Sequence, residues 1–86
     1  MPAPALSLPE FASLPVDLQS NYLWDYGSFL TNHRDHRYCI NLYSLHGYFV
    51  EVWYDTLLNH IHAITAFTTS RRLEAYAKSV SITNLM

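Results

Sequence analysis

The sequence contains little that marks a specific chemistry or compartment. A single cysteine excludes an internal disulfide and indicates a reducing compartment. No apolar run approaches the roughly 18 residues of a membrane span, and the first dozen residues lack the basic region and apolar core of a signal peptide. We therefore expect a cytoplasmic protein without a membrane partner.

Charge is also scarce. Charged residues make up 14% of the chain, compared with about 25% in typical soluble domains, and the net charge is −2. The five Lys and Arg residues do not form the cluster that phosphate-backbone binding requires, so a nucleic-acid partner is not expected. Half of the 86 residues are hydrophobic, and an apolar excess in so short a chain predicts a subunit interface.

The clearest element is the YFVEVWYD of residues 48–55. Its side chains are all large or charged and no Gly or Pro interrupts it, which predicts a strand central to a sheet. Residues 28–33, 37–45 and 60–67 are predicted to be further strands, separated by short polar turns. Together they predict a four-stranded antiparallel meander.

Helices are predicted on both sides of the strands. Ser7 and Glu10 form a capping-box motif that can start one or two helical turns. Ser13, as an N-cap, predicts a helix over residues 13–26 that Gly27 ends. Its apolar stripe is Leu14, Leu18, Tyr22 and Tyr26, with Trp24 outside it. After residue 68 a last helix is predicted from the stripe Leu73, Tyr76, Ala77 and Val80.

The predicted fold class is α+β: an N-terminal helix, the antiparallel meander and a C-terminal helix, with both helices on one face of the sheet. Residues 1–12 are expected to be a loose N-terminal segment, and residues 13–86 a single domain.

The register of the central hairpin decides which side chains share a face. A two-residue loop at His46 and Gly47 pairs Leu45 with Tyr48 and mixes polar and apolar residues on both faces. A three-residue loop pairs Leu45 with Phe49 instead and gives one uniformly apolar face. We favour the three-residue loop, because only that register yields a coherent core.

In that register the face away from the helices is unusually aromatic. Aromatic residues dominate buried contact energy, so this face predicts a homodimer interface. The interface residues are Tyr43, Leu45, Phe49 and Trp53. An additional protein partner is also possible.

One sequence resemblance accompanies these patterns. The VEVWYD of residues 50–55, the AF of residues 66–67 and the LEAY of residues 73–76 resemble short bacterial proteins with no assigned function, over about residues 15–82. This resemblance implies the fold and no activity. The order of helices and strands is also loosely similar to the RelE-type toxins, which cut messenger RNA, but those proteins are basic and use cationic catalytic residues that this chain lacks.

Two groups of residues are candidates for binding small ligands. His60 and His62 alternate along a strand and, with a carboxylate from Asp55 or Glu51, could bind a metal ion. Arg71 and Arg72 begin the last predicted helix, where free backbone N–H groups attract anions.

No catalytic or cofactor motif accompanies these residues, so neither an enzyme nor a cofactor is expected. The sequence predicts a small homodimeric binding or scaffold module. One alternative is a small metal-dependent enzyme or metal-binding domain that uses His60, His62 and a carboxylate from Asp55 or Glu51. Another is a toxin–antitoxin or immunity component.

Overall fold

The structure, a computed structural model, describes residues 5–68. Two short helices come first, α1 (Leu8–Ala12) and α2 (Val16–Tyr26). Four strands follow, β1 (Ser28–Asp35), β2 (Tyr38–Leu45), β3 (Tyr48–Asp55) and β4 (His60–Phe67). They form one antiparallel sheet in the order β1-β2-β3-β4. The α+β class and the four-stranded meander are confirmed, whereas the predicted C-terminal helix lies outside the described residues.

The start of α1 follows the capping-box motif. Glu10 N–H donates to Ser7 Oγ at 3.3 Å, and Ser7 N–H donates to Glu10 Oε1 at 2.8 Å. The bond from the Ser7 backbone lowers the pKa of Glu10. Phe11 of this helix is fully buried in the core. Within the predicted loose segment, residues 8–12 thus form a helix whose one buried side chain belongs to the core.

The position of α2 on the sheet differs from the predicted one. Pro15, not Ser13, is its N-cap residue, because the Ser13 hydroxyl donates to Glu10 O at 2.8 Å and so ends α1. The buried side of α2 consists of Gln19, Ser20 and Leu23. Leu18 and Tyr26, predicted to face the sheet, are 49% and 50% exposed.

A polar contact explains this rotation of α2. The side-chain amide of Gln19 is buried and donates to Phe11 O at 3.0 Å. The same carbonyl also accepts the Leu14 N–H at 3.1 Å, so the buried Gln19 amide finds its partner at the second acceptor site of a carbonyl at the end of α1. The apolar pattern of α2 could not reveal it, since apolar residues lie on more than one side of the helix.

The central hairpin has the two-residue loop, so the three-residue register is wrong. Leu45 pairs with Tyr48, and the loop residues His46 and Gly47 have φ of 49° and 89°. Two consecutive positive φ values are typical of a type I′ turn, whose twist matches that of the flanking strands. This register places polar residues opposite apolar ones, and they are tolerated where they find hydrogen-bond partners. Glu51 is buried opposite Leu42, and its carboxylate accepts a hydrogen bond from Trp53 Nε1 at 3.2 Å.

The two faces of the sheet follow from this register. On the face covered by α1 and α2, called the helix face, the buried strand residues are Leu45, Tyr48, Val50 and Val52. They pack with Phe11 and Leu23. The other side, called the opposite face, has its own buried cluster of Ile40, Leu42 and Phe67.

Substitution of Gly47 tests the two-residue turn. A Cβ at residue 47 would meet nothing within 4 Å, so any cost arises from the backbone conformation alone. We expect Gly47→Ala to lower the free energy of unfolding by about 1 kcal/mol. Gly47→Asn should cost less, because Asn tolerates positive φ. Urea denaturation of both variants measures this, and an unchanged Gly47→Ala midpoint would contradict the turn assignment.

Candidate interaction surface

The four predicted interface residues do not share a surface. Tyr43 and Leu45 lie on the helix face, whereas Phe49 and Trp53 lie on the opposite face, because the observed register differs by one residue from the predicted one. Leu45 is 1% exposed within the core, so it is not available to a partner.

A different group of aromatic side chains reaches the surface. Trp24 and Phe29 each lie with their ring centroid 5.6 Å from that of Tyr43. Trp24 is 52% exposed and Phe29 is 54% exposed, and these three residues are called the aromatic cluster. Partial burial raises the pKa of the Tyr43 phenol, which keeps it neutral at physiological pH.

The short link between α2 and β1 positions this cluster. Gly27 connects the two elements directly, and a Cβ there would lie 2.7 Å from Leu23 O. The lack of a side chain therefore lets the chain pass close to α2 and start β1 at once. As a result Trp24 and Phe29, five positions apart, both contact Tyr43 of β2.

Strand β1 forms an edge of the sheet beside the cluster. It has β2 on one side, and no described strand on the other. In an antiparallel ladder alternate N–H and C=O groups point away from the neighbouring strand, so β1 presents such groups at its outer edge. A β-bulge leaves Leu30, which is 48% exposed, without an opposing residue on β2. The exposed apolar side chains therefore lie next to the outer edge of β1.

An ion pair stabilises the end of the sheet where the β1–β2 and β3–β4 turns lie. Asp55, at the end of β3, is fully buried, and its Oδ2 lies 2.7 Å from Nη2 of Arg37. Its Oδ1 accepts the backbone N–H groups of Leu57 and Leu58 at 2.9 and 3.0 Å. The hydroxyl and N–H of Thr56 both donate to Arg37 O. These bonds join the β1–β2 turn to the β3–β4 turn.

The protonation state of Asp55 follows from these contacts. Burial by itself raises the pKa of a carboxyl group. The N–H of Leu58, the Arg37 guanidinium and the N–H of Leu57 outweigh that effect, so the pKa of Asp55 lies below its ordinary value of 3.8. Asp55 is therefore ionised at neutral pH.

The metal candidates do not form a ligand set. His60 pairs with Asp55 across the β3–β4 ladder, but His62 falls in a bulge, and its ring packs 4.9 Å from that of Tyr38. Both oxygens of Asp55 are already in use. Among residues 5–68 no three His, Cys, Asp or Glu side chains lie close enough together to hold a metal ion. Arg71 and Arg72, the anion candidates, lie outside the described residues.

The comparisons with known proteins add no identity. No family model, curated protein or solved structure matches the chain. The resemblance to short bacterial proteins therefore stays a prediction. In the described part of the chain, no helix has the length and apolarity needed to cross a bilayer.

Sequence reasoning missed Phe29 and Leu30 as surface residues. One available signal was Trp24, which lies outside the predicted stripe of α2 and is confirmed to be exposed. A second was the absence of charge from residues 28–32, an unusual composition for an edge strand.

Replacement of Asp55 tests the ion pair. Asp55→Asn keeps an acceptor for the two N–H groups but loses the charge opposite Arg37, so we expect Tm at pH 7 to fall by roughly 10 °C. Because the folded-state pKa is depressed, the stabilisation is present above the ordinary pKa and is lost as the pH falls below about 4. The difference in Tm between wild type and variant should therefore shrink below that pH.

Calorimetry from pH 7 to pH 2 measures this difference. Asp25→Asn, which changes an exposed carboxylate on α2, is the control and should leave Tm nearly unchanged. A Tm difference for Asp55→Asn that stays constant down to pH 2 would contradict the assigned role.

Proposed function

We propose that the protein is a small homodimeric binding module that associates through the β1 edge and the aromatic cluster. The observation that carries this proposal is the half-exposed pair Trp24 and Phe29 next to an edge strand. Aromatic residues are enriched at protein interfaces, and an exposed strand edge is a template for pairing with another strand. A second copy of the same chain supplies a matching edge and a matching cluster.

Two-fold symmetry makes this arrangement self-complementary. In an isologous dimer the same patch of both subunits meets, and an antiparallel pairing of β1 with its symmetry mate meets that condition. The pairing would extend each four-stranded sheet into one of eight strands. It would also satisfy the outward N–H and C=O groups of both edges.

The surface area that this dimer could bury is comparable to that of stable protein interfaces. A large aromatic side chain buries about 150–250 Å² in full, so the three half-exposed apolar residues of this surface offer on the order of 250 Å². Those residues are Trp24, Phe29 and Leu30. Stable interfaces need about 800 Å² per partner, and the backbone edge of an eight-residue strand would supply much of the remainder.

We propose a cytoplasmic location and a C-terminal helix after Thr68. The proposed dimer interface is the aromatic cluster and not the set of residues predicted from the sequence, and only Tyr43 belongs to both. The metal-dependent alternative is less well supported, because the carboxylate of Asp55 is already paired with Arg37 and no set of three ligands is found among residues 5–68. Nothing in those residues favours a toxin–antitoxin or immunity component over a binding module.

A charge placed in the cluster tests the dimer. Wild type should give a native mass spectrum near twice 10.0 kDa, whereas Phe29→Lys should give predominantly monomer. The reason is that the substitution removes an aromatic contact and would bury a lysine charge in the interface. Leu57→Lys is the matched control, because Leu57 is 70% exposed at the other end of the sheet. It should remain dimeric.

Circular dichroism distinguishes dissociation from unfolding, since Phe29→Lys should keep the wild-type spectrum. Trp24→Lys, on α2 and not on the strand, should weaken the dimer in the same direction. A monomeric wild type, or a dimer that survives both cluster substitutions, would rule out this surface.

A further inference from the structure

The opposite face of the sheet is buried, although both described helices pack on the other side. Ile40 is 2% exposed, Leu42 is 3% and Phe67 is 7%. The partly buried residues that pack against this cluster are Tyr38, Phe49 and Trp53, which all belong to the sheet itself. Side chains stand roughly perpendicular to a sheet, so neighbours in the same sheet cover their flanks and leave their outer ends open. Such low exposure therefore requires a further layer of chain.

The chain beyond Thr68 has the length and position for this layer. Strand β4 ends at Phe67, whose ring lies on the opposite face with its centroid 5.8 Å from that of Phe49. Eighteen residues follow Thr68, enough for a helix of two or three turns together with its connection. A segment joined directly to the covered face has a high effective concentration there.

Charge also favours this segment. Residues 69–86 hold three cations and one carboxylate, a net charge of +2, whereas residues 1–68 hold two cations and six carboxylates, a net charge of −4. One of those carboxylates, Glu51, is 5% exposed and lies on the opposite face. A basic segment therefore complements both the face and the rest of the chain.

We infer that residues 69–86 of the same chain cover the opposite face of the sheet. Their predicted apolar stripe, Leu73, Tyr76, Ala77 and Val80, packs on Ile40 and Leu42, and their cations lie toward Glu51. This places the predicted C-terminal helix on the other side of the sheet from α2, in contrast to the sequence prediction. This cover lies on a face of the sheet and the proposed dimer lies along the β1 edge, so the two proposals are independent of each other.

Nuclear Overhauser effects in the full chain test this placement. With labelled methyl groups, the methyls of Ile40 and Leu42 should show contacts to Val80 and Tyr76, whereas the methyls of Val50 and Val52 on the helix face should not. A mixture of labelled and unlabelled chains shows whether the contacts arise within one chain. Contacts found only between different chains would assign the cover to a second copy and overturn the inference, as would their absence.

A pair of variants gives a second readout. Val80→Glu places a charge in the stripe, whereas Ala75→Glu places one about 140° away from it on the predicted helix. We expect Val80→Glu to increase binding of the dye ANS several-fold and to lower Tm, with Ala75→Glu close to wild type. Equal effects of the two variants would contradict an apolar contact through Val80.

Discussion

The register of the β2–β3 hairpin is the constraint on which the rest of the structure depends. The two-residue turn at His46 and Gly47 pairs Leu45 with Tyr48, and every later pair along the hairpin follows from it. A slip of one residue would exchange the two faces of one strand relative to the other. The turn thus decides that Tyr43 lies on the helix face, beside Phe29, where an aromatic cluster can form.

The ion pair of Arg37 and Asp55 fixes the other end of the same hairpin. A buried carboxylate is costly unless charges and hydrogen bonds compensate it, and Asp55 has both. Because its partners come from two different turns, the contacts of Asp55 join the β1–β2 turn to the β3–β4 turn and hold the strands between them in register. The hairpin is therefore specified at one end by backbone conformation and at the other by charge.

The sequence predicted those parts of the fold that depend on local chemistry. Strands β3 and β4 have the predicted bounds, and Ser7 and Glu10 form the predicted capping box. The buried side of α2 could not be predicted, because it is set by a hydrogen bond from Gln19 to a residue in another helix. The register was mispredicted because a uniform apolar face was given more weight than the twist preference of a two-residue turn.

The exposed aromatic cluster shares only Tyr43 with the predicted interface residues. An aromatic interface was expected, and Tyr43 belongs to the observed cluster, but Phe49 and Trp53 lie on the opposite face. Phe29 could not be assigned to Tyr43 from the sequence, since their pairing depends on the turn after β1 and on the bulge at Leu30. Among residues 5–68 the metal candidates are not brought together for a similar reason, because a second bulge changes the position of His62 relative to Asp55.

The proposed pairing of two copies of the chain along β1 is tested most directly by distances between spin labels. In a Cys39→Ser background, a single label at Asn32 would lie close to its symmetry mate across the paired edges, whereas a label at Leu57 would lie far from its own. The account predicts a clearly shorter distance between the labels at residue 32 than between those at residue 57. No dipolar coupling at either position, or a shorter distance at residue 57, would contradict it.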